Sequence, residues 1–165
     1  MELFNGFYAK LYRIVWGICG QGEAAEEICQ EAFLRYYERR DRLPGGDEAC
    51  YWLIRVAKNL ALNYEKRRRR ENEVYRQYSL QASKTVRNDG EHEVLADESL
   101  KAVQKALSMV PYKLRIVLIL KEYADYPYSA IAKILHITEN NVKIRVFRAR
   151  QHLIKLLSGE ELYVP

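Results

Sequence analysis

Apolar residues recur in steps of three and four along most of the chain, and that spacing predicts an all-α protein. Phe4, Phe7, Tyr8, Leu11, Ile14, Val15 and Ile18 give a first helix over residues 3–18. Gly17, Gly20 and Gly22 are expected to end it. A second helix runs from about Glu23 to Arg40 and buries Ala25, Ile28, Cys29, Ala32, Phe33 and Tyr36. Turn residues make Leu43 to Asp47 a loop. A third helix is expected from Glu48 to about Arg70, buried through Ala49, Trp52, Leu53, Val56, Ala57, Leu60 and Tyr64. Three such helices can close one small core.

Beyond Glu71 the apolar pattern fades until about Asp97. The stretch reads as a linker, with short helical patches around Val74 to Leu80. A connector that stays disordered and one ordered by a partner have the same composition. Periodicity resumes with Leu100, Val103, Ala106, Leu107 and Val110. Pro111 then starts a new helix that carries Leu114, Val117 and Leu118. Residues 123–127 are a connection, and the tail from Gly159 is expected to fray. The expected organisation is two small helical domains, residues 1–70 and 98–165, joined by a flexible linker over 71–97.

The stretch from Ser129 to Leu153 reads as two helices around a tight turn. Ile131, Ala132, Ile134 and Leu135 line the first. The break falls at His136, where a left-handed conformation would suit glycine better. Thr138 is a good N-cap for the second helix, whose Val142, Val146, Ala149 and Leu153 form one stripe. Asn140, Asn141, Lys143, Arg145, Arg148 and Arg150 occupy its other faces. A short apolar helix, a turn and a capped helix with a basic outer face is the layout of a helix-turn-helix, whose second helix enters the major groove.

Charge strengthens that reading. The net charge is +5 and the isoelectric point about 9.0, which favours a polyanionic partner. The cations are also placed suggestively. Arg55, Lys58, Asn59, Asn63 and Lys66 share a broad side of the third helix and run into the uninterrupted basic cluster from Lys66 to Arg70. Such a face suits phosphate contact. Trp16, Tyr36, Tyr37, Tyr51, Trp52 and Tyr64 crowd the same half; most are core residues, and a minority suit stacking on unpaired bases.

Other chemistry finds no support. The chain contains no P-loop, glycine-rich dinucleotide signature or nucleophile elbow. His92, His136 and His152 lack metal-ligand spacing. Glu26, Glu27 and Glu31, flanked by Arg35, read as a charged surface rather than a metal site. Cys19, Cys29 and Cys50 fit neither a disulfide framework nor a zinc pattern and read as reduced residues of a cytoplasmic protein. No signal peptide is indicated, and the longest apolar run, Ile116 to Leu120, is far too short to span a membrane. No enzymatic activity, cofactor or metal is expected.

Four stretches together resemble one family, the bacterial RNA polymerase sigma factors of the extracytoplasmic-function group. Residues Ala25 to Arg35, with Gln30-Glu31 followed by Phe33, resemble that family's core-polymerase-binding helix. Tyr51 to Tyr64 is similar to its promoter-melting, −10-reading helix. Leu107 to Pro111 with Arg115 resembles the start of its C-terminal domain, and Asn141 to Arg150 its −35-reading helix. Each match is modest alone; all four in order are specific. The resemblance implies that Glu26, Glu27, Gln30, Glu31 and Arg35 face the β′ clamp helices of core RNA polymerase. It implies that Arg55, Lys58, Asn59, Asn63 and Lys66 touch the −10 region as its strands open, with the loop at 41–48 holding a flipped base. It implies −35 contacts from Thr138, Asn140, Asn141, Lys143, Arg145 and Arg148. The partners so implied are core polymerase, including its β flap, promoter DNA and an anti-sigma protein. The linker would thread the polymerase's RNA path. A free-standing helix-turn-helix regulator is the alternative, and it leaves the acidic and basic helices of the first half unused. A nucleic-acid-processing enzyme is a third, and it lacks a carboxylate or nucleophile constellation.

Overall fold

The computed structural model describes residues 2–79 and 98–159, with side chains from Asn5 onward. The predicted places of Phe4, of His92 and of the segments 80–97 and 160–165 lie outside the described residues. Within them stand seven helices and no strand: α1 (Glu2–Cys19), α2 (Gly22–Arg39), α3 (Asp47–Ser79), α4 (Glu98–Met109), α5 (Tyr112–Glu122), α6 (Tyr128–Leu135) and α7 (Glu139–Ser158). A 3₁₀ turn over Arg40–Arg42 links α2 to the loop before α3.

The first three helices close on Leu11, Ile14, Val15, Ala25, Cys29, Leu53, Ile54 and Ala57, all buried. Tyr8, Phe33, Tyr36, Trp52, Val56, Leu60 and Tyr64, expected in that core, are only half-buried at its edge. Gly17 does not end α1. It lies inside the helix, where the ring of Tyr123, just after α5, packs against it, and a Cβ there would sit 2.8 Å from that ring. Gly20 ends α1 instead, with φ +69°, a conformation open to glycine.

The main departure from the sequence expectation is the length of α3. Periodicity predicts a stop near Arg70, and the helix continues to Ser79 without a break. Residues 71–78 are all exposed, so no buried stripe marks them. Yet Glu71, Glu73, Arg76 and Gln77 are good helix formers, and Arg67/Glu71 and Arg69/Glu73 place opposite charges one turn apart. Helicity here comes from local propensity on a helix already nucleated upstream.

The second half packs directly against the first. α5 is buried through Ile116, Val117, Leu118, Ile119 and Leu120, and it meets both α1 and α7. Arg115 is 1% exposed and forms a two-pronged ion pair with Glu65 of α3, Nη1 to Oε1 and Nη2 to Oε2 each at 2.8 Å. The Gln104 amide of α4 faces the backbone oxygens of Trp16 and Gly17, each at 3.4 Å. Tyr51 of α3 meets Tyr126 edge-on at 6.1 Å between ring centres. Sequence periodicity gave no sign of this seam, because its polar members lie off both apolar stripes.

Candidate nucleic-acid interface

In α2 the buried side is set by Ala25, Ile28, Cys29 and Ala32. Glu26, Glu27, Gln30, Glu31 and Arg35 are all left exposed, as one broad acidic surface. Arg35 Nε donates to Glu31 Oε1 at 2.9 Å, an exposed pair one turn apart that contributes little to stability. Leu34 stands in the middle of this surface, exposed, among the acids. Sequence reasoning passed over it, although its offset from the buried stripe was visible.

The −10 set on α3 divides. Asn59, Asn63 and Lys66 are exposed along one side of the helix. Arg55 and Lys58 are half-buried because α6 lies over them. Arg55 Nε donates to the Ile134 carbonyl and its Nη2 to the Lys133 carbonyl, both at 2.8 Å. These carbonyls belong to the last turn of α6 and have no intrahelical donor; a cation at that end is also favoured by the helix dipole. Lys58 Nζ donates to Asn59 Oδ1 at 3.1 Å. Burial, then the neighbouring Arg55 charge, lowers the pKa of its ammonium. In this arrangement Arg55 of the first half is engaged by the helix-turn-helix.

The helix-turn-helix is built as the spacing predicts. His136 caps α6 at φ 56° and ψ 44°, the left-handed conformation expected of the turn. Thr138 Oγ1 accepts from the Asn141 N–H at 3.1 Å and starts α7. Val142, Val146 and Ala149 are buried, and Leu153 partly so. Asn141 Oδ1 in turn accepts from Arg145 Nε at 3.1 Å, which orients that guanidinium along the helix. Thr138, Asn140, Lys143 and Arg148 are exposed, and Asn141 and Arg145 partly so. Arg150 is directed elsewhere, to Glu122 of α5 at 2.7 Å. Two residues outside the sequence-derived set stand on the outward side, Ile144 at 42% and Phe147 at 62% exposure.

Among the described residues no group of three or more His, Cys, Asp or Glu side chains is placed to hold a metal ion. No described helix is long and apolar enough to cross a membrane. The surface chemistry is therefore that of an acidic face on α2 and basic-amide faces on α3 and α7.

Comparison with known proteins meets this geometry region by region. The family described as Sigma-70 region 2 matches residues 3–71, and Sigma-70 region 4 matches residues 100–153. The ECF RNA polymerase sigma factor SigW of Bacillus subtilis is 30% identical over 163 residues, which cover 94% of this chain and 87% of the relative. The ECF RNA polymerase sigma-E factor of Escherichia coli K12 is 31% identical over 133 residues, 76% of this chain and 69% of that one. A similar fold occurs in the sigma factor RpoE from Bartonella quintana, solved in complex with the anti-sigma factor NepR. It has a TM-score of 0.68 and 22% identity over 95% of each chain. With region 2 matched ahead of region 4 and a relative 30% identical over nearly the whole chain, the chain belongs to the ECF RNA polymerase sigma factors.

Proposed function

We propose that the protein joins core RNA polymerase and directs it to a particular class of promoter, with a separate task for each exposed face. The acidic side of α2, with Glu26, Glu27, Gln30, Glu31 and Arg35, docks on the β′ clamp helices. Arg55, Lys58, Asn59, Asn63 and Lys66 contact the −10 element as it opens, and the loop before α3 receives an unstacked base. Capture of that base offsets the few kcal/mol that extrusion costs. Thr138, Asn140, Asn141, Lys143, Arg145 and Arg148 read the −35 element. Residues 1–70 and 98–165 act as the two functional units, with 71–97 between them. The chain performs recognition and strand opening and no covalent step, and it works in the cytoplasm with the polymerase. The β flap is the docking point for the C-terminal unit. An anti-sigma protein, as in the Bartonella complex, is the proposed inhibitor.

The observation that carries this reading is the capped, basic α7 on a chain that also presents a separate acidic helix. Each DNA contact is weak alone, and attachment to one polymerase raises the effective concentration of the second once the first is made.

Run-off transcription tests it. Purified protein is added to sigma-free core polymerase and a library of genomic promoters, with core alone as control. New start sites that share two upstream elements and require the protein are expected. Arg145→Ala or Arg148→Ala should weaken upstream-element binding. Lys58→Ala should leave that binding intact and reduce permanganate reactivity of the −10 strand. No gain with core, together with tight specific binding of duplex DNA by the protein alone, would replace this reading with a free-standing regulator.

A further inference from the structure

Helical spacing puts Asn140, Ile144, Phe147, Arg148 and Gln151 on the side of α7 directly opposite its buried stripe. That is the side a recognition helix presents to the floor of the groove. Three of these five residues are polar or charged; Ile144 and Phe147 change the chemistry at the centre. They are 42% and 62% exposed and serve no packing role within the described residues. Flanking them are Lys143 on one edge and Arg145 on the other.

We propose that Ile144 and Phe147 read the C5-methyl groups of thymines at neighbouring base pairs of the upstream promoter element. This rests on the reading of α7 as the −35 helix. Thymine is the one base with an apolar group in the major groove, so an aliphatic or aromatic side chain there selects it. The spacing fits: residues three apart on a helix are about 4.5 Å apart along its axis, against a base-pair rise of about 3.4 Å. The side chains therefore fall over adjacent or next-adjacent pairs. The charge pattern decides against a protein as occupant. A protein covering this centre would also bury the cations at its edges and would need acids opposite them. A DNA groove supplies phosphates at both edges and apolar methyls on its floor.

The test removes the methyl and nothing else. Holoenzyme made from core polymerase and the full chain is used to select an upstream element from random duplex DNA. Each thymine of that element, on either strand, is then replaced singly by deoxyuridine, and affinity is measured. One or two positions should lose about fourfold each, the value of one carbon removed from water; the remaining positions should change little. In Ile144→Ser or Phe147→Ser the loss at the matching position should disappear. Both sites are exposed, so these variants should keep the far-ultraviolet dichroism and core affinity of the parent. Tolerance of deoxyuridine at every position overturns the assignment. So does a methyl effect that survives both substitutions, or a loss of core affinity instead of DNA affinity. A holoenzyme that selects no upstream element overturns the reading of α7 itself, and this assignment with it.

Discussion

Replacement of Arg115 by methionine should be among the most damaging single changes available in this protein. Its guanidinium is 1% exposed and both terminal nitrogens are committed to Glu65 at 2.8 Å. Nη1 also faces the Ile18 carbonyl at 3.4 Å, and Nε has no partner. The Glu65 side chain is itself only 13% exposed, and its next cation, Arg69, is 3.7 Å away. Arg115→Met therefore strands a nearly buried carboxylate, and Glu65→Leu strands a fully buried guanidinium. Breaking a buried pair from one side costs about 3–5 kcal/mol, whereas replacing both partners by apolar residues is often close to neutral. The two single changes should thus cost far more together than the double change does. With a urea slope of about 2 kcal/mol per molar, each single change should move the unfolding midpoint down by roughly 1.5–2.5 M. Urea titrations of the parent, both single variants and the double, followed at 222 nm, give the full cycle. A shift below about 0.3 M for Arg115→Met, or costs that simply add, would refute the claim that this pair is a buried, mutually dependent unit.

Three further expectations use the same assay. Gly17→Ala should destabilise by about 1–3 kcal/mol, because its methyl would sit 2.8 Å from the Tyr123 ring and force α1 and α5 apart; an unchanged midpoint would mean that the ring moves freely. His136→Gly should stabilise by about 1 kcal/mol, since the residue holds φ 56° and glycine adopts it without strain; a lower midpoint would show that the imidazole itself contributes. Burial pushes the Cys29 thiol up to about 12 from an ordinary 9.0. The folded state then holds its proton where the unfolded chain releases it, so stability is complete below about pH 9 and falls as pH rises towards 12. Cys29→Ala should flatten that alkaline decline relative to the parent, and identical profiles for the two would sink the idea.

Most of the fold was legible in the sequence because burial and helicity coincide there. Ile14, Cys29, Leu53, Val117 and Val142 fall on stripes that the structure buries. The reading broke where they separate. Glu71 to Ser79 is helical without a buried side, and periodicity detects only the latter. Gly17 looked like a stop and proved to be a point of close approach, which depends on a ring more than a hundred positions away in sequence. At the candidate interface, Thr138 and His136 were legible because caps and turns are local chemistry. Arg55 was recognisable as a surface cation, but its carbonyl partners on α6 were not, since backbone groups have no signature in sequence. Ile144 and Phe147 were in plain view at the correct spacing. Base-edge contact is ordinarily a property of polar side chains, so an exposed apolar pair carries no such signature in sequence.

The two hydrogen bonds from Arg55 to the end of α6 also have a thermodynamic meaning. On the proposed assignment, one guanidinium serves two acceptors that exclude each other, the helix-end carbonyls and the −10 strand. Promoter binding then draws only on molecules in which α6 has left α3, and the apparent dissociation constant is the intrinsic one divided by that fraction. If one molecule in a hundred is open, affinity falls about a hundredfold with no change in any DNA contact. A ligand that binds the separated halves better than the packed ones restores the lost factor, up to the ratio of its own two affinities. The same relation runs in reverse: substitutions that loosen the seam should raise promoter affinity even as they lower stability, so the two properties need not move together.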